Sequence, residues 1–202
     1  MAAPSVFDMT VGEQEESWTT LGRAVVHQGR VTLSDHSVRI PDGSTAHYEV
    51  DESIPFAVAT LVIDGSYVVL TRQYRYPIDR WIYDLPGGAG EAGEAPEEAA
   101  RRELEEELGL IPADLRLLHT FFVNPGRAAW PAHIFVCTRA AAGGDIDRSD
   151  PAENVRSVRL RIVDLDSLIA SGEIVDPTLI VARAAAATAG ILPPLVPVPP
   201  GS

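Results

Sequence analysis

Two apolar runs, residues 56–63 and 67–74, flank the dipeptide Asp64-Gly65. Strand-like runs on either side of such a dipeptide specify a tight antiparallel hairpin. Residues 81–85 read as a further short strand, ending at Pro86-Gly87-Gly88. A glycine-rich loop then runs to Gly93, and a helix covers about 96–108. Pro96 suits its first turn and Gly109 the position just past its end. Residues 115–123, 133–138 and 155–163 are later strands. A short helix is expected to start at Asp164, which can cap it, and an alanine-rich helix spans about 177–189. Strands and helices do not alternate regularly and hairpins are visible. The predicted fold class is therefore α/β, with a mixed sheet and helices on its faces rather than a doubly wound parallel sheet.

The 202 residues leave room for one ordinary domain with a small appendage. Residues 1–17 are acidic and lack hydrophobic period, as expected of a disordered tail. Residues 18–52 read as an antiparallel appendage of about three strands, with Pro41-Asp42-Gly43 as a turn. The main domain is expected over 53–190. Residues 191–202 form a proline-rich tail, in which the prolines remove the backbone donors that regular structure needs.

Acidic residues number 29 against 16 basic ones, for a net charge of −13. A basic groove for long nucleic acid is disfavoured, but a small anionic substrate is compatible if a metal ion bridges it to acidic side chains. Every basic residue is arginine, which excludes a lysine nucleophile or Schiff base. The lone cysteine, Cys137, rules out a disulfide within the chain and suggests a cytoplasmic protein. No apolar run approaches the ~18 residues of a membrane span, and residues 1–11 do not read as a secretory signal.

The helix at 96–108 carries the chemistry. Glu103, Glu106 and Glu107 lie at i, i+3 and i+4 and so share one face. Ala100, Leu104 and Leu108 form an adjacent apolar stripe. Three like charges thus border a buried surface near the C-terminal half of the helix, where its dipole disfavours them. A glutamate run is commonly just a solvated helix face. Against that stand the glycine-rich loop before it, Arg102 beside the carboxylates, and their place next to the apolar stripe. Hard oxygen ligands with no cysteine or histidine pair favour Mg²⁺ or Mn²⁺, and magnesium chemistry implies a phosphorylated substrate. The five histidines show no ligand spacing.

Gly88, Glu94, Arg102, Glu103, Leu104, Glu106, Glu107, Gly109 and Leu110 fill every fixed place of the signature box that the Nudix hydrolases share. The chain therefore resembles that family. The resemblance implies an α/β/α sandwich that hydrolyses a nucleoside diphosphate linked to another moiety, with Mg²⁺ or Mn²⁺. Glu103 and Glu107 match the principal metal ligands, Glu106 an additional catalytic ligand, and the Gly87 carbonyl a backbone ligand. Glu94 and Arg102 match the pair that braces loop to helix.

Outside the box the chain is similar to the ADP-ribose pyrophosphatase branch. Gln73-Tyr74-Arg75 resembles a strand motif whose arginine contacts the diphosphate. Residues 81–88 resemble the lead into the box, with Asp84 where glutamate is usual. The N-terminal appendage resembles the sheet through which that branch forms swapped homodimers, and Asp176-Pro177 resembles its C-terminal end. Asn124-Pro125-Gly126-Arg127 falls where the branch has a loop with an acidic residue, which this chain lacks. Arg127 and Trp130 either hold a phosphate, ribose or ring of the substrate, or close the loop. The resemblance places the general base on a loop before a late strand. Glu153 is the candidate there, with Asp145, Asp147 and Asp150 as competitors. The expected reaction converts ADP-ribose to AMP and ribose 5-phosphate. The alternatives are another sugar nucleotide or an oxidised nucleotide as substrate, or a nucleotide-sensing module without turnover.

Overall fold

The computed structural model describes residues 16–143, 146 and 155–195. One compact unit ends at Ser53 and a second begins at Ile54.

In the first unit, β1 (Thr19–Gln28), β2 (Thr32–Arg39) and β3 (Thr45–Asp51) form an antiparallel sheet in that order. The β2–β3 turn closes through Ser44 N–H donating to Asp42 Oδ1 at 2.8 Å, with Gly43 at φ 85°. That positive φ costs glycine little. Ser34 and Val38 of β2 are buried, whereas β1 is exposed along its whole length.

The second unit is built on the hairpin of β4 (Ala57–Asp64) and β5 (Tyr67–Arg75). Asp64 pairs with Tyr67, so the two-residue loop is Gly65-Ser66, one position later than the sequence suggests. Gly65, at φ 60°, takes the left-handed turn conformation. A single 3₁₀ turn (Tyr76–Ile78) leads into β6 (Arg80–Asp84), and β7 (Gly87–Ala89) follows. Next come α1 (Pro96–Leu108), β8 (Leu110–Pro112), β9 (Leu115–Phe121), β10 (Ala132–Cys137) and β11 (Ala140–Ala142). The described part closes with β12 (Arg156–Arg161), α2 (Ile162–Ala170) and α3 (Pro177–Thr188). The main sheet runs β12-β5-β4-β10-β9, and only the β4–β10 pairing is parallel. β8 and β11 pair separately.

Helices cover both faces of this sheet, giving an α/β/α sandwich. On one face Ala99, Ala100 and Leu104 of α1 pack with Phe56, Val58, Val62, Phe135 and Cys137. On the other, Leu165 of α2 and Leu179, Ala182 and Ala186 of α3 pack with Leu61, Leu70, Ile134 and Val136. α2 begins two residues before the expected start. Its cap position is Arg161, and Asp164 accepts a fork from that guanidinium at 2.7 Å through both Nε and Nη2 instead of capping the helix. β9 also stops at Phe121, two residues short.

The local feature that builds the site is a divergence of β4 and β5. β5 pairs with β4 only near the hairpin, through Val62, Ile63 and Asp64. Beyond that it pairs with β6, and β7 takes the vacated edge of β4 along Ala57–Ala59. Gly87 permits this. A Cβ there would lie 2.1 Å from the Val58 carbonyl oxygen, so no other residue fits without moving backbone.

Candidate active site

Proline at the first helical position and Gly109 in the left-handed conformation (φ 63°) delimit α1. Glu98 adds a cap by accepting the Ala95 N–H at 3.2 Å. Because Ala99, Ala100 and Leu104 are buried, the rotation of α1 is fixed. Glu103, Glu106 and Glu107 are then part-buried at the margin of the packed face, while Glu105 is exposed.

That margin faces the glycine turn. Glu107 Oε2 accepts the Gly87 N–H at 2.8 Å. The Glu103 carboxylate lies so close to Gly88 that a Cβ there would sit 2.6 Å from its oxygen. Two carboxylates one helical turn apart are thus seated on consecutive residues of β7. Arg102 supplies counter-charge. Its Nη1 donates to Glu103 at 2.8 Å and to Glu106 at 3.1 Å. Nε and Nη2 fork onto Glu94 at 3.0 and 3.2 Å, and Nη2 also reaches the Ala89 carbonyl at 3.2 Å. These bonds of Arg102 link the loop, β7 and the helix. The fork and the Glu91 N–H hold the Glu94 carboxyl below its usual range, and Glu94 chiefly holds the guanidinium proton.

Among the described residues, no three His, Cys, Asp or Glu side chains converge as a ready metal cage. Glu103 and Glu106 turn to Arg102, and Glu107 to a backbone amide. The donor set nonetheless fits a hard divalent cation. Three carboxylates lie on one helix face, two of them against the Gly87–Gly88 backbone, with no sulfur or imidazole among them.

Arg75, at the end of β5, donates from Nη2 to Asp84 Oδ2 at 2.6 Å, and Asp84 Oδ1 accepts the Leu85 N–H at 2.9 Å. Asp176, the N-cap of α3, accepts the Leu179 N–H at 2.7 Å. Burial and the nearby Asp84 charge push its carboxyl up to about 6, against the pull of Arg75 and of the helix N–H groups. No local sequence pattern joins these three residues. The available signal was Asp176-Pro177, a capping aspartate before a first-turn proline.

The loop before β10 reaches the same end of the sheet. Ala57 N–H donates to the Pro131 carbonyl at 2.9 Å, and Gly90 N–H to the Phe56 carbonyl at 2.9 Å. Within this loop the Arg127 and Ala128 N–H groups close a turn onto the Asn124 carbonyl, and Ala128 is buried. The Trp130 indole nitrogen is buried and has no hydrogen-bond partner among the described residues. Glu153, Asp145, Asp147 and Asp150 lie outside the described residues.

Fold and site define an α/β enzyme whose working helix presents carboxylates to a glycine turn. The NUDIX domain matches residues 54–180, and the chain belongs to the Nudix family. It is a Nudix hydrolase, acting on pyrophosphate bonds. It is similar to an ADP-ribose pyrophosphatase of Bacillus subtilis, with 31% identity over 159 residues, 78% of this chain and 85% of that protein. It is also similar to a methanol dehydrogenase activator of Bacillus methanolicus, with 30% identity over 165 residues, 81% and 89% of the two chains. A CMP-5'-(N-acetyl-N-hydroxy-3-aminopropyl)phosphonate hydrolase of Streptomyces rubellomurinus is 30% identical over 162 residues, 78% and 76% of the two chains. Among solved structures, an ADP compounds hydrolase superposes with a TM-score of 0.76 at 22% identity, covering 88% of this chain and 96% of that one, a likeness of fold.

Proposed function

We propose that the chain hydrolyses the diphosphate bond of a nucleoside diphosphate linked to another moiety, with ADP-ribose as substrate, AMP and ribose 5-phosphate as products, and Mg²⁺ or Mn²⁺ as cofactor. The observation that carries this is the seating of Glu103 and Glu107 on Gly88 and Gly87. Glu103, Glu106, Glu107 and the Gly87 carbonyl would hold the cation. Bound there, it supplies positive charge against the diphosphate oxygens and acidifies an attacking water. Arg102 keeps the carboxylates at the turn through its bonds to Glu94, Glu103 and Glu106. Arg75 offers a planar, permanently charged fork to a phosphate. Glu153 is the general base in this reading, and Arg127 and Trp130 contact the substrate from the loop before β10.

The similarity to the CMP-linked phosphonate hydrolase supports a second reading, a nucleotide-linked substrate other than ADP-ribose. Product analysis by anion exchange separates the two, across ADP-ribose, sugar nucleotides and nucleoside triphosphates, with Mg²⁺, Mn²⁺ or EDTA. AMP and ribose 5-phosphate, formed only with metal, are expected. Cleavage of triphosphates alone would remove the ADP-ribose assignment. Tight ADP-ribose binding without product would favour a sensing module.

A homodimer through the first unit belongs to the same reading. A three-stranded sheet of this size has little core of its own. Among the described residues β1 pairs on one edge only and leaves Leu21, Val25 and Val26 exposed. Light scattering is expected to give twice the chain mass. The buried free thiol of Cys137 supports a cytoplasmic location, and among the described residues no helix is long and apolar enough to cross a membrane.

A further inference from the structure

Six arginines lie on the neighbouring strands β5, β6 and β12 of a chain whose net charge is −13. Four of them have an acid each. Arg75 meets Asp84 at 2.6 Å, Arg80 meets Glu173 at 3.3 Å, Arg159 meets Asp64 at 2.6 Å and Arg161 meets Asp164 at 2.7 Å. Arg72 and Arg156 have no acid partner among the described residues, and they stand directly opposite each other in the β5–β12 register. Like charges so placed destabilise a sheet, and folding alone gives no reason for them. Each guanidinium lies instead on a ring of β6, Arg72 over Tyr83 at 4.8 Å and Arg156 over Trp81 at 5.0 Å from the centroid. Tyr74 backs Trp81, with centroids 6.1 Å apart, and donates its hydroxyl to Asp79 at 2.5 Å. The rings hold both arginines from one side. Arg72 is half-buried and Arg156 exposed, and both have N–H groups still to offer.

We propose that Arg72 and Arg156 form a second anion site, which takes the phosphomonoester group of a small molecule. Tyr83 and Trp81 are two residues apart on one face of β6, so the rings beneath the two arginines repeat at roughly 7 Å. At that spacing two planar forks can donate to oxygens of the same phosphate. The ligand's charge of about −2 cancels both guanidinium charges and removes the cross-strand repulsion, which a single carboxylate would only halve. Because the rings already order the arginines, little freedom is lost on binding. The site is separate from the diphosphate contact assigned to Arg75. Arg72 shares its face of β5 with Leu70, which packs with α2 and α3, whereas Arg75, three residues on, belongs to the opposite face.

Binding without turnover tests this. NMR titration of the arginine Nε–H resonances, in EDTA at about pH 7.5 where the phosphate is mostly a dianion, would add ribose 5-phosphate, inorganic phosphate or acetate. The full-length parent would be compared with R72Q, R156Q, R156E and R75Q, each checked by its thermal midpoint. Ribose 5-phosphate and inorganic phosphate are expected to shift the Arg72 and Arg156 signals of the parent saturably, with a Kd of about 1 mM or below. Acetate should not. R72Q and R156Q should each weaken binding by about tenfold or more, and R75Q should bind as the parent does. R156E places a carboxylate opposite Arg72. It should abolish binding and yet raise the thermal midpoint, a combination that a damaged fold would not give. The proposal is overturned if neither phosphate binds the parent saturably, if inorganic phosphate alone binds, if R156E still binds, or if R75Q does not. No metal or turnover enters the measurement, so each of these results leaves the hydrolase reading intact.

Discussion

Glu107, in the last turn of α1, accepts the backbone N–H of Gly87, twenty residues earlier in the chain, at 2.8 Å. The contact ties the C-terminal end of the helix to β7 and aims a carboxylate at the turn where a cation would bind. Glutamine keeps the size and the acceptor oxygen but loses the charge. E107Q should therefore stay folded, with a thermal midpoint within about 2 °C of the parent. Its kcat/KM for ADP-ribose should fall by about 100-fold. Kinetics and scanning calorimetry check both halves, and parental turnover would remove Glu107 from the metal site.

Gly87 and Gly88 are adjacent but should respond differently to alanine. At Gly87 an added Cβ meets the Val58 carbonyl at 2.1 Å and the Ala59 Cα at 2.7 Å, both backbone atoms of the central strand. G87A must push β7 off β4, and urea denaturation should show a loss of about 2 kcal/mol or more. At Gly88 the three nearest atoms to the Cβ all belong to the Glu103 carboxylate, the mobile end of a side chain. G88A is expected to fold with near-parental stability, yet to need a higher Mg²⁺ concentration for half-maximal activity because Glu103 is displaced. Equal stabilities for the two variants would contradict this geometry.

The difference between these glycines shows which features local sequence carries. The limits of α1 were legible because Pro96 and Gly109 act on their own backbone, and the shared face of Glu103, Glu106 and Glu107 follows from helical spacing. The hairpin was legible to within one residue. The helix α2 was legible but its start was not, because Asp164 has the side chain of a cap yet is taken by Arg161 three residues before it. β8 and β11 were missed, since strands of three residues gain their identity only by pairing across the chain. The Arg75–Asp84–Asp176 set was hidden for the same reason. Arg75 meets Asp84 across β5 and β6, and the charges of both act on Asp176 from another element.

Arg183 illustrates a long-range relation with a large energetic consequence. Its side chain is fully buried in α3, and its Nε and Nη2 fork onto Asp166 of α2 at 2.6 and 2.8 Å. Its Nη1 has no partner among the described residues. D166A would strand a buried guanidinium, at a cost of about 3–5 kcal/mol. The double replacement D166L/R183M removes both charges and should cost clearly less than D166A alone. Chemical denaturation of both variants and the parent tests the ordering. A double variant less stable than D166A would show that the pair contributes net stability.

Asp176 gives the chain a pH dependence of unusual sign. Most perturbed carboxyls here, including Glu52, Glu94 and Asp114, are held below their usual range by hydrogen bonds and arginines. They favour the folded state at higher pH. Asp176 is the reverse. Burial first, and then the Asp84 charge, push it up to about 6 in the folded protein, so the native state binds this proton more tightly than the unfolded chain. Its contribution to stability is full below the unfolded value of 3.8 and is lost as pH rises through about 6. Asparagine caps a helix about as well as aspartate and carries no charge. D176N should match the parent near pH 4 and be the more stable of the two at pH 7, with the gap opening between those values. Urea denaturation at unit pH steps isolates the effect, because every other titrating group is common to both proteins. A gap of constant size, or one that opens toward low pH, would mean that Asp176 is held charged in the fold.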